Sequence, residues 1–199
     1  MPSTTVSSLA RSLRDEARQH YRSGRVVLAV DGPDGGGQAA LADGLAAAFA
    51  ASGTTAFRAP AAVSDGPEGA RVDTLRRDLV APFRAGEAVG RPVTVAEDGE
   101  ESPHDGPDAV LVVDGTRLHA ADVRGLWNWS LWLEVAPAVA AARVAERDGT
   151  DPDPAAESNR AAREGFQRYV REARPRQAAS AIVENSDAAH PVQIFGDFC

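Results

Sequence analysis

Residues 25–53 read RVVLAVDGPDGGGQAALADGLAAAFAASG. Arg25-Val26-Val27-Leu28-Ala29-Val30 is a short continuous apolar run rich in β-branched residues, the pattern of a strand buried on both faces of a sheet. A glycine cluster cuts it. From Gln38 to Ala51 the alanine-rich stretch has strong helix propensity despite Gly44, and Ser52-Gly53 closes it. The unit is therefore strand, glycine loop, helix, which calls for a parallel sheet with a crossover connection.

Outward from that unit the chain repeats the alternation. Upstream, Leu9, Leu13, Ala17 and Tyr21 recur at helical spacing within Val6 to Tyr21, and Ser23-Gly24 stops the pattern. Downstream, Thr54 to Phe57 is a short second strand, and Val72, Leu75, Leu79 and Phe83 place a helix over Arg71 to Phe83. Pro92 to Ala96 is a weak alternating piece, and the acidic stretch that follows, to Asp108, has the composition of a solvated loop. Ala109 to Val113 and Trp129 to Val135 are further buried strands. Pro137 sits at the first position of a helix reaching Arg147. Asp148 to Pro154 breaks the pattern, Ala155 to Glu172 is helical, and Ala181 to Val183 is a last short strand. The expectation is one α/β domain over residues 1–191, a parallel sheet flanked by helices in three layers, followed by a tail over 192–199.

Composition excludes whole classes of chemistry. The chain has 199 residues, 43% of them hydrophobic, enough for a single core. Its formal charge of -8 opposes nucleic acid and anionic membrane as partners. Every one of the 21 Lys+Arg residues is arginine. Without lysine the chain has no side-chain ammonium to act as general base, Schiff-base nucleophile or phosphate clamp. The single Cys199 is the last residue, so no internal disulfide or cysteine zinc site forms within one chain. The charged opening helix lacks the apolar core of a signal peptide, and a cytoplasmic location is expected.

The loop itself runs Asp31-Gly32-Pro33-Asp34-Gly35-Gly36-Gly37-Gln38-Ala39. In the phosphate-loop pattern G-x-x-x-x-G-K-[ST], glycines let backbone N–H groups curl around phosphates, lysine neutralises phosphate oxygens and the hydroxyl holds magnesium. That frame places Gly32 first, Gly37 last, Gln38 at the lysine position and Ala39 at the hydroxyl position. Both chemical groups are missing. The loop could still hold an anion through its backbone N–H groups and the helix that follows.

The stretch from Arg25 to Gly53 resembles the opening of actinobacterial-type uridine kinase-like proteins, P-loop nucleoside kinases whose motif reads DGxDGxGKTT. Later segments agree in order: Ser64-Asp65-Gly66-Pro67-Glu68-Gly69, LRRDLVAPF (residues 75–83), DAVLVVDGTRLHAADVRGLWNWSLWLEV (108–135), Ala145-Glu146-Arg147-Asp148 and EARPRQAASAIVENSDAAHP (172–191). The resemblance implies a P-loop NTPase fold of the nucleoside kinase kind. It implies that Asp114 stands at the Walker-B-like position near magnesium, where the plain alternative is a polar strand end. It likewise implies that Arg147 and Arg160 are lid arginines, against the plain alternative of helix-surface ion pairs; Arg143 lies one helical turn before Arg147. In the family an Asp-Asp-Phe-like motif follows the second strand and activates the nucleoside hydroxyl. Here Ala56-Phe57-Arg58-Ala59-Pro60 carries no matching aspartate.

Three readings follow. The first is a degenerate, catalytically inactive kinase-fold protein, with Gly32, Asp34, Gly35, Gly36, Gly37, Gln38, Ala39, Asp114, Arg147 and Arg160 as a partial nucleotide or phosphate site, weak ATP or ADP binding, no magnesium, and a protein partner or a homo-oligomer. The second is an active nucleoside or small-molecule kinase in which Asp114, Arg147 and Arg160 replace the lost contacts. The third makes the body a carrier for the tail, presenting Phe195, Phe198 and Cys199 to a partner or a modifying enzyme. Trp127, Trp129 and Trp132 are expected to pack the core, and the four histidines show no metal-like spacing.

Overall fold

A computed structural model describes residues 5–61, 70–93 and 107–194. The order begins with helix α1 (Val6–His20), strand β1 (Arg25–Asp31), helix α2 (Gln38–Ala50) and strand β2 (Thr55–Pro60). Helix α3 (Ala70–Leu75) runs through a π-helical turn at Arg76–Val80 into α4 (Ala81–Arg84). Strands β3 (Arg91–Val93), β4 (Ala109–Gly115) and β5 (Trp129–Glu134) follow, then α5 (Pro137–Asp148), α6 (Arg160–Ala173), α7 (Pro175–Ala178), β6 (Ala181–Glu184) and β7 (Val192–Ile194).

These strands form one sheet in the order β3-β2-β4-β1-β5-β6-β7. The five inner strands are parallel, and β3 and β7 close the edges antiparallel. The expected α/β sheet is therefore present. Strand alternation divides the core. Val26, Leu28 and Val30 of β1 and Val110 and Val112 of β4 face α1 and α2, where Leu9, Leu13, Leu41, Leu45 and Phe49 cover them. Val27 and Ala29 with Leu111 and Val113 face Phe57, Leu75, Val80 and Phe83 on the other side. Gly44 has a packing role inside α2: a Cβ there would stand 3.2 Å from Val6 Cγ1, so its absence lets α1 lie close.

Four expectations change. Strand β2 extends past Phe57 to Pro60, because it pairs with β4 as far as Asp114. The helix expected from Ala155 starts at Arg160, since Asp153 N–H and Ala155 N–H are held by the carboxylates of Asp151 and Asp153, and Asn159 Nδ2 donates to Asp151 O and Asp153 O. Of the alternating piece at 92–96, Pro92 and Val93 belong to β3. The tail does not begin as a loose end: Val192–Ile194 pairs with β6. Residues 64–69, the acidic segment to 106, and Phe195, Phe198 and Cys199 lie outside the described residues.

Candidate functional site

The parallel topology brings the C-terminal ends of β1, β2 and β4 together, the usual location of ligands in such sheets. The glycine loop emerges there from β1 and turns into α2. Gly35 and Gly37 adopt φ of +74° and +85°, in the left-handed region that glycine permits without strain. Each also lies against a neighbour: a Cβ on Gly35 would stand 2.4 Å from Ala140 O, and one on Gly37 2.6 Å from Asn185 Nδ2. The loop's carbonyls are held from outside. Asn185 Nδ2 donates to Gly36 O at 2.7 Å. The half-buried Arg143 donates to Gly35 O at 3.2 Å and to Asn185 O and Ser186 O at 3.0 and 2.9 Å. With its carbonyls tied back to α5 and the β6 end, the loop keeps a curled shape. Helix α2 starts at Gln38 with Gly37 as its N-cap and no side-chain cap bond, which leaves the helix N-terminus to the cleft.

Beneath the loop lies a closed polar network that the sequence reading did not single out. Asp31 is fully buried at the end of β1. Its carboxylate accepts from Gly32 N–H at 2.8 Å, from His119 N–H at 3.0 Å, from His119 Nδ1 at 2.8 Å and from the Tyr169 hydroxyl. Because a carboxylate only accepts, Nδ1 of His119 carries a proton. Nε2 of the same ring lies 3.0 Å from Ser130 Oγ. The order Asp–His–Ser has the spacing of a hydrolytic relay, yet His119 and Ser130 are 1% and 8% exposed, which leaves no room for a substrate. The network fastens the root of the loop to β5 and α6 instead.

The cleft itself has a volume of about 360 Å³ and is lined by Asp34, Gly35, Gly37, Gln38, Ala39, Asp114, Gly115, Thr116, Arg143 and Arg147. Seven of the ten residues of the expected partial site, Asp34, Gly35, Gly37, Gln38, Ala39, Asp114 and Arg147, thus line the cleft, and Gly32 and Gly36 of the same loop are buried. Gln38, at the lysine position, is folded inward: Nε2 donates to Pro33 O at 2.8 Å and reaches Gly115 O at 3.5 Å. It crosslinks the loop from within. Arg147 is bracketed by carboxylates, Nη1 and Nη2 donating to Asp34 at 2.9 and 3.1 Å and Nε and Nη2 to Asp148 at 2.7 and 2.6 Å. The hydrogen bonds to Asp148 and then Asp34 raise its pKa further above the ordinary arginine range, and Arg147 lowers that of Asp148. Arg160 does not join them. Its guanidinium lies 3.1 Å from Glu157 on the surface, and it is not among the cleft-lining residues.

Asp114 lines the cleft, but with an internal partner. Arg58, on the extension of β2, makes an ion pair with Asp114 Oδ1 through Nη1. Its Nε lies 3.2 Å from Asp43 Oδ1, a Coulombic contact whose angle does not make a hydrogen bond, and Nη2 reaches Ala39 O at 3.4 Å. Arg58 is 6% exposed. The residues here do not fit a magnesium ion: Ala39 offers no hydroxyl, and the carboxylate that would face the metal is already paired with a cation. Arg58 is hard to recognise from the sequence, because the expected strand ends at Phe57. A charged residue amid the apolar Ala56, Phe57 and Ala59 was the available signal. The three tryptophans pack as expected, Trp127 Nε1 donating to Leu118 O at 2.7 Å and Trp132 stacking on Phe166 with centroids 6.2 Å apart.

A mostly parallel sheet with a strand–glycine loop–helix unit at its centre and helices on its faces is the arrangement of a P-loop kinase fold. Two solved structures with TM-scores above 0.5 share this fold. A proposed fructose transport system kinase from Silicibacter sp. TM1040 is 23% identical, with a TM-score of 0.53 over 88% of this chain and 95% of that one. The YGR205w protein is 11% identical, with a TM-score of 0.51 over 92% and 94%. A candidate uridine kinase from Bacillus stearothermophilus is 14% identical, with a TM-score of 0.48 over 86% and 98%. No protein-family model and no curated protein matches the sequence. Among the described residues no helix is long and apolar enough to cross a membrane.

Proposed function

We propose that this chain is a uridine kinase-like protein that has kept the loop and lost the reaction, acting as a binding, scaffold or regulatory protein. The observation that carries the reading is the state of Gln38. At the position where the pattern places a lysine, a neutral carboxamide is bonded to the loop's own Pro33 O, in a chain with no lysine to substitute for it. Phosphoryl transfer depends on positioning and electrostatic stabilisation, and losing one stabilising group costs about 10²- to 10³-fold in rate. Here the ammonium, the metal-binding hydroxyl and the activating aspartate are all missing.

The backbone supports residual anion binding, since the glycine geometry and the uncapped start of α2 persist. A nucleotide such as ATP or ADP would be held weakly, without catalysis. The partner served by such a protein is another protein or a second copy of the chain, in the cytoplasm, and the third reading adds the tail at Cys199 as a docking element. Calorimetric titration with ATP, ADP and uridine, with and without magnesium, tests the proposal together with a phosphotransfer assay on the same sample. Weak or no binding, indifferent to magnesium and without turnover, is expected. Magnesium-dependent ATP binding with turnover would return the chain to the active kinases.

A further inference from the structure

Asp43 and Asp114 approach one another across the guanidinium of Arg58, one from α2 and one from the end of β4. Arg91, on β3, reaches the outer side of the same Asp43 oxygen at 2.8 Å. In the phosphate-loop frame the residue at position 39 and the acid at position 114 are the two that face the metal, and Arg58 touches both, through Ala39 O and Asp114 Oδ1. We infer that Arg58 takes the place of the divalent cation, so that this cleft excludes magnesium and keeps its charge balance within the chain. The inference deepens the inactive reading and rests on the same loop assignment.

Three physical arguments support it. A guanidinium is protonated at every accessible pH and is more weakly hydrated than an ammonium, so it supplies a permanent positive charge at a site 6% exposed. Its backbone is fixed in the sheet, Arg58 pairing with Val112 on one side and Arg91 on the other, so the side chain has no strand end to swing from. A metal binding Asp114 would have to take the carboxylate from Arg58 and set a second cation against a buried guanidinium that keeps only its contacts to Asp43 and Ala39 O, which is strongly unfavourable. Removing Arg58 reverses the situation. Asp43 and Asp114 would then face one vacated volume with an excess of negative charge, which a divalent cation with oxygen ligands suits.

The test uses manganese as the probe, with the full-length protein. The thermal unfolding midpoint and paramagnetic relaxation of water protons are followed as manganese is added, against a sodium chloride control of matched ionic strength. For the wild type, neither signal is expected to respond beyond the salt control. Arg58→Leu should lower the midpoint by roughly 10 °C, and millimolar manganese should restore a good part of that loss. The double variant R58L/D114N should regain stability without metal and ignore manganese. Manganese binding by the wild type that disappears in D114N would overturn the inference, and this arm decides even if R58L fails to fold. A folded R58L that ignores manganese would overturn it as well. Turnover by the wild type in a phosphotransfer assay would instead remove the inactive reading, so the two failures are distinguishable.

Discussion

Asp31 and Asp34 stand three residues apart in one glycine loop, and their surroundings are opposite. Asp31 is fully buried and accepts four hydrogen bonds, from Gly32, two groups of His119 and Tyr169. Asp34 is 60% exposed at its side chain and meets Arg147 in solvent. In the low dielectric beneath the loop each missing partner leaves a carboxylate without compensation, whereas solvent and salt screen the pair above it. The lower network therefore sets where the loop is, and the upper pair adds little to its position.

The largest effect is expected below the loop. His119→Ala removes two of the carboxylate's neighbouring contacts at once, the Nδ1–H bond and the packing that seals it, and should destabilise the fold by about 3–5 kcal/mol in chemical denaturation. Tyr169→Phe deletes one hydrogen bond to a charged acceptor and should cost roughly 1.5–3 kcal/mol. At the loop itself Gly35→Ala combines a left-handed backbone with a Cβ 2.4 Å from Ala140 O, and a loss of about 1–3 kcal/mol is expected, with any anion affinity falling alongside. Above the loop Asp34→Asn should move the unfolding midpoint by no more than about 2 °C, a difference that vanishes at high salt. If Asp34→Asn proves as damaging as His119→Ala, the contrast between the two carboxylates is broken.

Sequence patterning carried the sheet and the loop, because both are periodic or local signals. The apolar runs at 25–30, 109–113 and 129–135 became β1, β4 and β5 with small boundary shifts. The glycine cluster gave the site its backbone, and Gly32 to Ala39 with Asp114 and Arg147 do converge at the cleft or its wall. The partners that settle the chemistry were less legible, because they come from separate elements of the fold. His119 reaches Asp31 across 88 residues and Arg58 reaches Asp114 across 56, contacts that neither spacing nor propensity encodes. Arg160 is a related case: the resemblance pairs it with Arg147 as a lid arginine across the 148–154 turn, while the nearby Glu157 engages it locally. At the end of the chain the signal is missing for the same reason, since the three residues of β7 form a strand only by virtue of the β6 edge they pair with.

The measurement that bears most directly on the proposed loss of phosphoryl transfer is calorimetric titration of the purified protein with ATP in the presence and absence of magnesium, paired with a sensitive phosphotransfer assay using uridine as acceptor. Gln38 bonded to Pro33, Ala39 without a hydroxyl and Asp114 paired with Arg58 predict that magnesium leaves the binding isotherm unchanged and that no phosphorylated product accumulates. Magnesium-enhanced binding with steady formation of a nucleoside monophosphate would contradict it.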